Sequence, residues 1–242
     1  MQFKRKHHQL IAKALENLDA SLLDKSGCYF AGGTALALMH DEYRESHDMD
    51  FMISELNGYR ELRTLLTGID GFKSLAKSGG MISQVGEVRA DQYGIRGKID
   101  VDGVPIKLEI FFEGRIKLEI PGVKNKICGI RTLSDLDLAT QKMLANSDRW
   151  GDAAIFSRDI IDLAMMSAGR KLLRNAIEKA ELAYGATIKR DLEKAIDRVL
   201  NKAGWLERCI AAMDISEPKA SLMQRVIKLG RDAGMVVRLG LP

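Results

Sequence analysis

The fold of this 242-residue chain is decided by the stretch CYFAGGTALALMHDEYRESHDMDFMIS, residues 28–54. The stretch opens with a short apolar run and a glycine pair, and strong helix formers then occupy residues 35–39. From His47 to Ser54 apolar and polar residues alternate with the period of a half-buried strand. The order predicted is therefore strand, glycine turn, helix and strand, with Asp48 and Asp50 on one face of the second strand.

The regions on either side of this stretch predict the rest of the architecture. Apolar residues at helical spacing over Gln9–Leu23 indicate one amphipathic helix, and the alternating pattern of Gly94–Gly114 around an Asp-Gly pair indicates a hairpin. From Ser134 onward the spacing is helical throughout, with glycines as breaks. We expect an α+β fold, with a small mixed β-sheet domain in residues 1–133 and an α-helical domain in residues 134–242.

Composition restricts the class of protein. The chain has 37 Lys and Arg against 33 Asp and Glu, with 46% hydrophobic and 29% charged residues. Such a composition is globular, and it excludes both a disordered chain and a strongly basic polyanion-coating protein. No apolar run approaches the roughly 18 residues of a spanning helix, and no signal segment is visible, so we expect a cytoplasmic protein without a membrane anchor.

The charge is unevenly distributed along the chain. Residues 1–55 carry 6 basic and 9 acidic side chains, whereas Arg170–Arg208 carries 10 basic and 6 acidic ones. An acidic pocket and a basic lobe would produce this asymmetry, and so would solvated helix faces without a binding role.

Three Asp-x-Asp pairs occur in the sequence, namely Asp48/Asp50, Asp100/Asp102 and Asp135/Asp137. The second pair runs into the predicted hairpin turn and the third follows a serine at a predicted helix start, so structural roles suffice for both. The first pair lies within a strand, where two like charges on one face repel each other. This pair therefore needs a compensating cation.

A divalent ion, Mg²⁺ or Mn²⁺, is the economical candidate for that cation. Hard carboxylate oxygens together with water and substrate phosphates are the ligands that Mg²⁺ prefers. Glu109, on the outgoing hairpin strand, is a candidate third carboxylate, and three such groups on adjacent strands can hold two metal ions for phosphoryl or nucleotidyl transfer. The alternative is that Glu109 forms only a surface ion pair with Lys107.

A second candidate feature is Gly32-Gly33-Thr34 at the start of a predicted helix. The free N–H groups and the positive dipole end of such a helix can hold a phosphate. Glycine pairs also serve ordinary turns, and Thr34 is a good N-cap residue. The order of the elements, with the aspartate pair following within about fifteen residues, favours the phosphate interpretation.

These motifs resemble the AbiEii/AbiGii toxin family of nucleotidyltransferases, within the DNA polymerase beta-like superfamily. The resemblance starts with the glycine turn and continues through Arg44-x-Ser46-x-Asp48-x-Asp50-Phe51. Three further segments are similar to the second, third and fourth motifs of the family: Lys107-Leu108-Glu109, Asp137-Leu-Ala-x-x-Lys142-x-x-Ala145 and Arg158-Asp159-Ile-Ile-Asp162-Leu163.

The resemblance implies a metal-dependent enzyme that transfers a nucleoside monophosphate from an NTP to an acceptor hydroxyl. Asp48 and Asp50 would bind the metal ions with Glu109, and Asp159 would be an essential acid near Lys142. The residues that would position the nucleotide are Gly32, Gly33, Thr34, Ser46 and Lys142.

The resemblance also implies a biological setting. The family suggests the toxin of a bacterial toxin–antitoxin or phage abortive-infection system, with a cognate antitoxin as partner. The acceptor in such families can be the 3′ end of a tRNA, and the basic segment Arg170–Arg208 offers a surface for its phosphates.

The residues themselves leave several alternatives open. Lys142 and Arg149 share a helix face and could address a triphosphate together, although a solvated lysine is the default. Arg158 and Asp162 are spaced for a helix salt bridge. Arg44 could bind phosphate or pair with a neighbouring glutamate, and the four histidines are not expected to be ligands.

Two rival functions are compatible with the sequence. An antibiotic nucleotidyltransferase would use the same metal ions with a small acceptor and an acidic acceptor pocket, and would not need the basic segment. A non-catalytic RNA- or protein-binding module would keep the fold without depending on Asp48. Transfer of the γ-phosphoryl group instead of a nucleotidyl group is a further variant of the chemistry.

Overall fold

The computed structural model describes residues 3–239 and consists of two compact units. The first unit contains the chain up to Glu42 and Ser46–Ser134, and the second contains Tyr43–Glu45 and the chain from Asp135 onward. The division at residue 134 lies one position beyond the boundary predicted from the sequence. The sequence pattern gave no indication that three residues near position 44 belong to the helical unit.

Within the described residues, the first unit contains four α-helices and seven strands. The helices are α1 Lys6–Asn17, α2 Ala20–Ser26, α3 Gly32–Met39 and α4 Leu56–Leu66. The strands are β1 Cys28–Ala31, β2 Met49–Ile53, β3 Ser83–Ala90, β4 Gly94–Val101, β5 Val104–Phe112, β6 Lys126–Ile127 and β7 Ile130–Arg131. A short 3-10 helix, Gly71–Leu75, precedes β3.

Five strands form one mixed sheet in the order β1-β2-β5-β4-β3. Strands β2 and β5 are parallel, whereas the other neighbours are antiparallel. The sheet shares its apolar core with α1, through buried residues such as Ile11, Leu15, Phe30, Phe51 and Ile110. The predicted α+β class with a small mixed sheet is confirmed.

The predicted hairpin is formed by β4 and β5. Its turn residues Asp102 and Gly103 both have positive φ, 55° and 82°, as the turn that matches the strand twist requires. The Asp100 carboxylate accepts a hydrogen bond from the Gly103 N–H at 3.0 Å. The second Asp-x-Asp pair therefore serves the turn, as predicted.

The single helix predicted for Gln9–Leu23 is wrong, because the structure has two helices there. The chain is extended at Leu18, and the Asp19 carboxylate caps the new helix by accepting from the N–H groups of Ser21 and Leu22 at 2.9 and 3.0 Å. An aspartate that satisfies free N–H groups starts a helix at its own position.

The segment that precedes the hairpin adds one more strand to the sheet. It contains β3, an eight-residue strand at the edge of the sheet. Most of its side chains are exposed, so it lacks the apolar alternation by which a strand is recognised in a sequence.

The second unit contains six α-helices within the part of the chain that the structure describes: α5 Asp135–Arg149, α6 Arg158–Met165, α7 Arg170–Tyr184, α8 Thr187–Asn201, α9 Trp205–Ala212 and α10 Lys219–Asp232. Gly169 and Gly185 flank α7, and Gly204 precedes α9, so the predicted helix breaks are confirmed. None of the helices described is long and apolar enough to cross a membrane.

Candidate active site

The candidate residues of the first unit lie at the start of β2 and on its neighbour β5. Asp50 is the second residue of β2 and is paired in register with Glu109 on the parallel strand β5, so the two side chains lie on one face of the sheet. Asp48 is exposed and immediately precedes β2. We refer to Asp48, Asp50 and Glu109 as the carboxylate cluster.

Lys107 supplies positive charge to the carboxylate cluster. Its amine bonds to Glu109, and this bond raises the pKa of Lys107, with further contributions from the negative charges of Glu109, Asp48 and Asp50. The Arg96 Nε atom lies 3.4 Å from a Glu109 oxygen. Glu109 is therefore buried and paired with two cations, Lys107 and Arg96. This arrangement corresponds to the alternative in which Glu109 forms an ion pair with Lys107.

A divalent ion fits the two aspartates better than all three carboxylates. Within residues 3–239 no three His, Cys, Asp or Glu side chains are gathered closely enough to hold an ion as they stand. One or two carboxylates completed by water and substrate phosphates are nevertheless the usual protein contribution to an Mg²⁺ site. Asp48 and Asp50 could provide that contribution, whereas Glu109 would have to exchange its ion pairs to join them.

The position of the Asp50 side chain requires a glycine at residue 32, the first residue of α3. Gly32 has φ of +74° and lies beside that aspartate, because a Cβ atom added to Gly32 would be 2.5 Å from Asp50 Oδ2. Only glycine adopts this conformation readily. Gly32 therefore allows the carboxylate to lie against the glycine turn, in addition to starting the helix.

Replacing Gly32 by alanine is expected to reduce catalytic turnover by about tenfold or more, because the new methyl group displaces the Asp50 carboxylate. The matched control is Gly129→Ala, since Gly129 has φ of +84° and open space around its Cβ position. Both variants should lose about 1–2 kcal/mol of unfolding free energy from the backbone alone. Equal activity losses in the two variants would show that backbone strain, and not the carboxylate position, is responsible.

The hydroxyl groups of Thr34 and Ser46 are engaged with each other. Thr34 Oγ1 donates to the Asp48 carbonyl oxygen at 2.6 Å and lies 2.7 Å from Ser46 Oγ. Since the Thr34 proton goes to a carbonyl group, the Ser46 hydroxyl must be the donor between the two side chains. Thr34 and Ser46, both predicted to contact phosphate, thus donate their hydroxyl protons to hydrogen bonds within the protein.

A phosphate at this turn would therefore be held by backbone N–H groups. Gly33 and Thr34 occupy the first turn of α3, which also carries the positive end of the helix dipole. The N-cap residue of this helix is Ala31, whose methyl side chain cannot accept hydrogen bonds from these N–H groups.

The candidate residues of the second unit form a buried network of ion pairs, which we call the lysine cluster. The Lys142 amine on α5 lies 2.6 Å from Asp162 and 3.2 Å from Asp159, both on α6. Arg149 donates two hydrogen bonds to the Asp159 carboxylate, at 2.7 and 3.0 Å. Arg44 does the same to Asp162, also at 2.7 and 3.0 Å.

Cations hold both carboxylates of the lysine cluster in the charged form. Burial would raise the pKa of Asp162, but Arg44 and Lys142 outweigh it and hold that pKa well below its ordinary value. Burial likewise opposes the ionisation of Asp159, and Lys142 and Arg149 lower its pKa. The two carboxylates are therefore ionised at neutral pH.

The lysine cluster has a surplus of positive charge. Arg44, Lys142 and Arg149 bond to two buried carboxylates, so the network has one more cation than carboxylate, and the exposed Asp148 acts on Arg149 from the surface. The side chain of Lys142 is only 5% exposed and Arg44 is buried, whereas Arg149 is 35% exposed. The member of the cluster that meets solvent is therefore Arg149, and an anion would complete the charge balance.

Sequence reasoning placed Lys142, Arg149 and Asp159 together correctly but missed the partners of Asp162. The predicted helix salt bridge to Arg158 is replaced by bonds from Arg44, Lys142 and the Tyr43 hydroxyl. The carboxylate with which Arg44 forms its ion pair is that of Asp162, and its Nη1 atom donates to the Glu45 backbone carbonyl at 2.8 Å. No local pattern could reveal these contacts, since Arg44 and Asp162 are 118 residues apart in the chain.

A further polar group of α5 was not singled out from the sequence. Asn146 lies one helical turn after Lys142 and is 3% exposed. Within residues 3–239 its Nδ2 atom has no hydrogen-bond partner. A buried amide donor without a partner is costly, so a water molecule or a ligand oxygen is expected beside it.

Comparison with known proteins adds to this geometry. The sequence model of the family described as nucleotidyl transferase AbiEii toxin, type IV toxin–antitoxin system, matches residues 13–225. No curated protein matches the chain. The family match covers most of the sequence.

Two solved structures from Helicobacter pylori are similar to this chain. One is JHP933, which is 15% identical, with a TM-score of 0.51 over 96% of this chain and 92% of that one. The other is a candidate nucleotidyltransferase, which is 16% identical, with a TM-score of 0.49 over 94% of this chain and 92% of that one. At such identities the first of these similarities concerns the fold alone.

Proposed function

Since the chain belongs to the AbiEii family of nucleotidyltransferase toxins of type IV toxin–antitoxin systems, we propose that it transfers a nucleoside monophosphate from an NTP to an RNA hydroxyl with divalent metal ions held by Asp48 and Asp50. The observation that carries this proposal is the position of Asp48 and Asp50 at the start of β2, with Asp50 beside Gly32 of the glycine turn. Family membership implies an NTP as substrate and an antitoxin encoded as its partner.

In the proposed reaction, an acceptor hydroxyl oxygen forms a bond to the α-phosphorus of the NTP. The bond from that phosphorus to the bridging oxygen breaks, pyrophosphate leaves, and the hydroxyl proton passes to a base or to water. Divalent ions at Asp48 and Asp50 would activate the attacking oxygen and stabilise the leaving pyrophosphate. The N–H groups of Gly33 and Thr34 would hold a phosphate of the NTP.

We assign the lysine cluster to the negative charge of the triphosphate. Its surplus positive charge favours an anion, and Arg149 is the exposed cation that can contact one directly. Lys142 would contribute by its charge, or directly after exchanging one of its two carboxylate partners. Asp159 would orient both Lys142 and Arg149, to which it is bonded.

For the acceptor we propose an RNA such as a tRNA, because of a basic cavity in the helical unit. The cavity has a volume of about 350 Å³ and lies among α7, α8 and the C-terminal end of α10. Four basic and two acidic side chains line it: Arg170, Arg174, Lys189, Arg231, Glu178 and Asp232. A surplus of arginine and lysine favours a phosphate backbone over a cationic drug.

The test of the enzymatic proposal uses purified protein, Mg²⁺ or Mn²⁺, bulk tRNA and each NTP labelled at the α or the γ phosphate. We expect α label to appear in RNA with wild type and not with Asp48→Asn. Transfer of γ label alone would replace nucleotidyl transfer by phosphoryl transfer. Label transfer only to small hydroxylated acceptors would favour the antibiotic-modifying alternative.

The basic cavity gives a separate prediction. Arg174→Glu combined with Arg231→Glu should weaken binding of labelled tRNA at least about tenfold and make it less dependent on salt, because fewer RNA phosphates are then neutralised by the protein. Affinity for the NTP should not change. The control is Arg60→Glu combined with Arg63→Glu on α4, which reverses the charge of two exposed arginines of the first unit. Equal weakening of tRNA binding in both proteins would reveal a general charge effect.

A further inference from the structure

Two histidines of α1 contact the segment that leads into the carboxylate cluster. The Ser46 N–H donates to His8 Nε2 at 3.2 Å, and His7 Nε2 lies 2.9 Å from the His47 carbonyl oxygen. The next carbonyl, that of Asp48, accepts from Thr34. Side chains therefore fix the backbone at three consecutive residues immediately before β2.

The partners define which nitrogen of His8 carries the proton. A backbone N–H can only donate, so the His8 Nε2 atom that faces Ser46 must be the unprotonated acceptor. His8 Nδ1 then carries the proton and donates it to Glu42 Oε1 at 2.9 Å. His7 has the opposite arrangement, because its Nε2 atom donates to a carbonyl group.

The Glu42 carboxylate is a fixed anchor for His8. It accepts hydrogen bonds from the backbone N–H groups of Lys4 and Arg5 at 2.6 and 3.0 Å. Burial raises the pKa of Glu42, but these bonds and His8 together lower it below its ordinary value. His8 itself is completely buried, so the imidazole ring is held on both sides.

His8 also joins two residues that are separated in the chain of the first unit. Glu42 is the last residue of that unit before Tyr43–Glu45, and Ser46 is the first residue after them. The His8 ring bonds to both, through one nitrogen each. The position from which the chain enters Asp48 is therefore fixed by a side chain of α1 and not only by neighbouring backbone.

We propose that His8 is a positioning residue, which aligns the Ser46–Asp48 backbone and thereby places the Asp48 carboxylate for the reaction. The inference rests on the proposed function, in which Asp48 holds a divalent ion. His8 lies outside the residues matched by the family and is distant in sequence from each motif. Its neutral Nδ1–H form is the one that serves this role.

Two amide variants of His8, each of which replaces one of the two ring nitrogens, distinguish a positioning role from a role in packing alone. In His8→Gln the side-chain oxygen can take the place of Nε2 and accept from Ser46, whereas in His8→Asn the side-chain amide can take the place of Nδ1 and donate to Glu42. We expect kcat to fall about tenfold or more in the asparagine variant and to stay within about threefold of wild type in the glutamine variant. KM for the NTP should change less than kcat.

Hydrogen exchange at the Ser46 amide provides a readout that does not depend on catalysis. Exchange should accelerate at least about tenfold in His8→Asn and remain slow in His8→Gln, because only the latter keeps an acceptor. Substitutions of the buried His8 could destabilise the protein, so a third variant, His7→Phe, changes its half-buried neighbour instead. It removes the donor to His47, and it should lower kcat with the same small change in KM.

The outcomes distinguish this inference from the proposed function. Equal losses of kcat and equal exchange in the glutamine and asparagine variants would overturn the positioning role and leave only packing. An unchanged kcat in His8→Asn and His7→Phe would overturn it as well. Absence of nucleotidyl transfer by wild type would instead refute the proposed function, and the Ser46 exchange rates would still decide whether His8 fixes this segment.

Discussion

Replacing Asp50 by asparagine should lower kcat for nucleotidyl transfer by about a hundredfold to a thousandfold, while the protein stays folded. Asparagine has the shape of aspartate, so it can occupy the space beside Gly32 that the carboxylate fills. It lacks the negative charge that a divalent ion requires, and loss of preorganised charge at a reacting phosphate costs on the order of 10²–10³ in rate. Transfer of α-labelled NTP under saturating Mg²⁺ measures the effect.

The chain contains its own control for this prediction. Asp102→Asn removes one carboxylate from the Asp-x-Asp pair of the hairpin turn, where asparagine also tolerates the positive φ of 55°. It should leave kcat within about twofold of wild type, because the residue is exposed and its pair with Lys13 lies at the surface. Retention of more than a tenth of the activity by Asp50→Asn would refute the metal assignment.

Replacing Asp162 by asparagine should remove about 3–5 kcal/mol of unfolding free energy from the helical unit. The carboxylate is completely buried and accepts bonds from Arg44 and Lys142. A neutral amide leaves the buried Arg44 without its carboxylate partner and leaves Lys142 with Asp159 alone, which is the costly way to break a buried ion pair. Both tryptophans of the chain, Trp150 and Trp205, lie in the helical unit, so urea unfolding followed by fluorescence reports on it.

The matched control is Asp232→Asn on α10. Asp232 also pairs with two cations, Arg170 and Lys228, but these pairs lie at the surface. Surface pairs contribute about 0–1 kcal/mol, so this variant should differ from wild type by no more than that. Comparable losses in the two variants would contradict a special role for the buried network.

The effect of Asp162 depends on pH with a defined sign. Its pKa is lower in the folded protein than in the unfolded chain, so its contribution to stability is present above the unfolded value of about 4. That contribution is lost as the pH falls through the folded pKa. The difference in unfolding free energy between wild type and Asp162→Asn should therefore be constant near neutral pH and shrink below about pH 4.

Local sequence signals predicted the elements that present the candidate site. Alternation around Asp50, the glycine turn at Gly32 and the Asp-Gly turn of the hairpin each depend on neighbouring residues, and all three lie in the expected structures. The prediction that Glu109 comes from a strand beside that of Asp50 is also confirmed by the register of β2 and β5. Short-range patterns specify such features because period and turn chemistry are local.

The contacts that could not be predicted from the sequence connect distant parts of the chain. An i,i+4 spacing suggested a pair between Arg158 and Asp162, but the carboxylate is completed by Arg44 from far upstream. The histidines of α1 were not expected to be ligands, and no local pattern indicates their bonds to the segment before β2. In each case burial decides which partner is chosen, and burial depends on the packing of the whole unit rather than on spacing.

The passage of Tyr43–Glu45 through the helical unit restricts how this protein can be divided or recombined. A protein truncated after Ser134 would retain Arg44 but lose Asp162, which accepts hydrogen bonds from both Arg44 and the Tyr43 hydroxyl. It would also lose the Met213 carbonyl group, which accepts from the Glu45 N–H. If the C-terminal helices were taken from a relative, the α6 of that relative would have to pair with Arg44 of this chain. Tyr43–Glu45 therefore belong with the C-terminal helices, and an exchange of the helical unit between homologues should carry these three upstream residues with it.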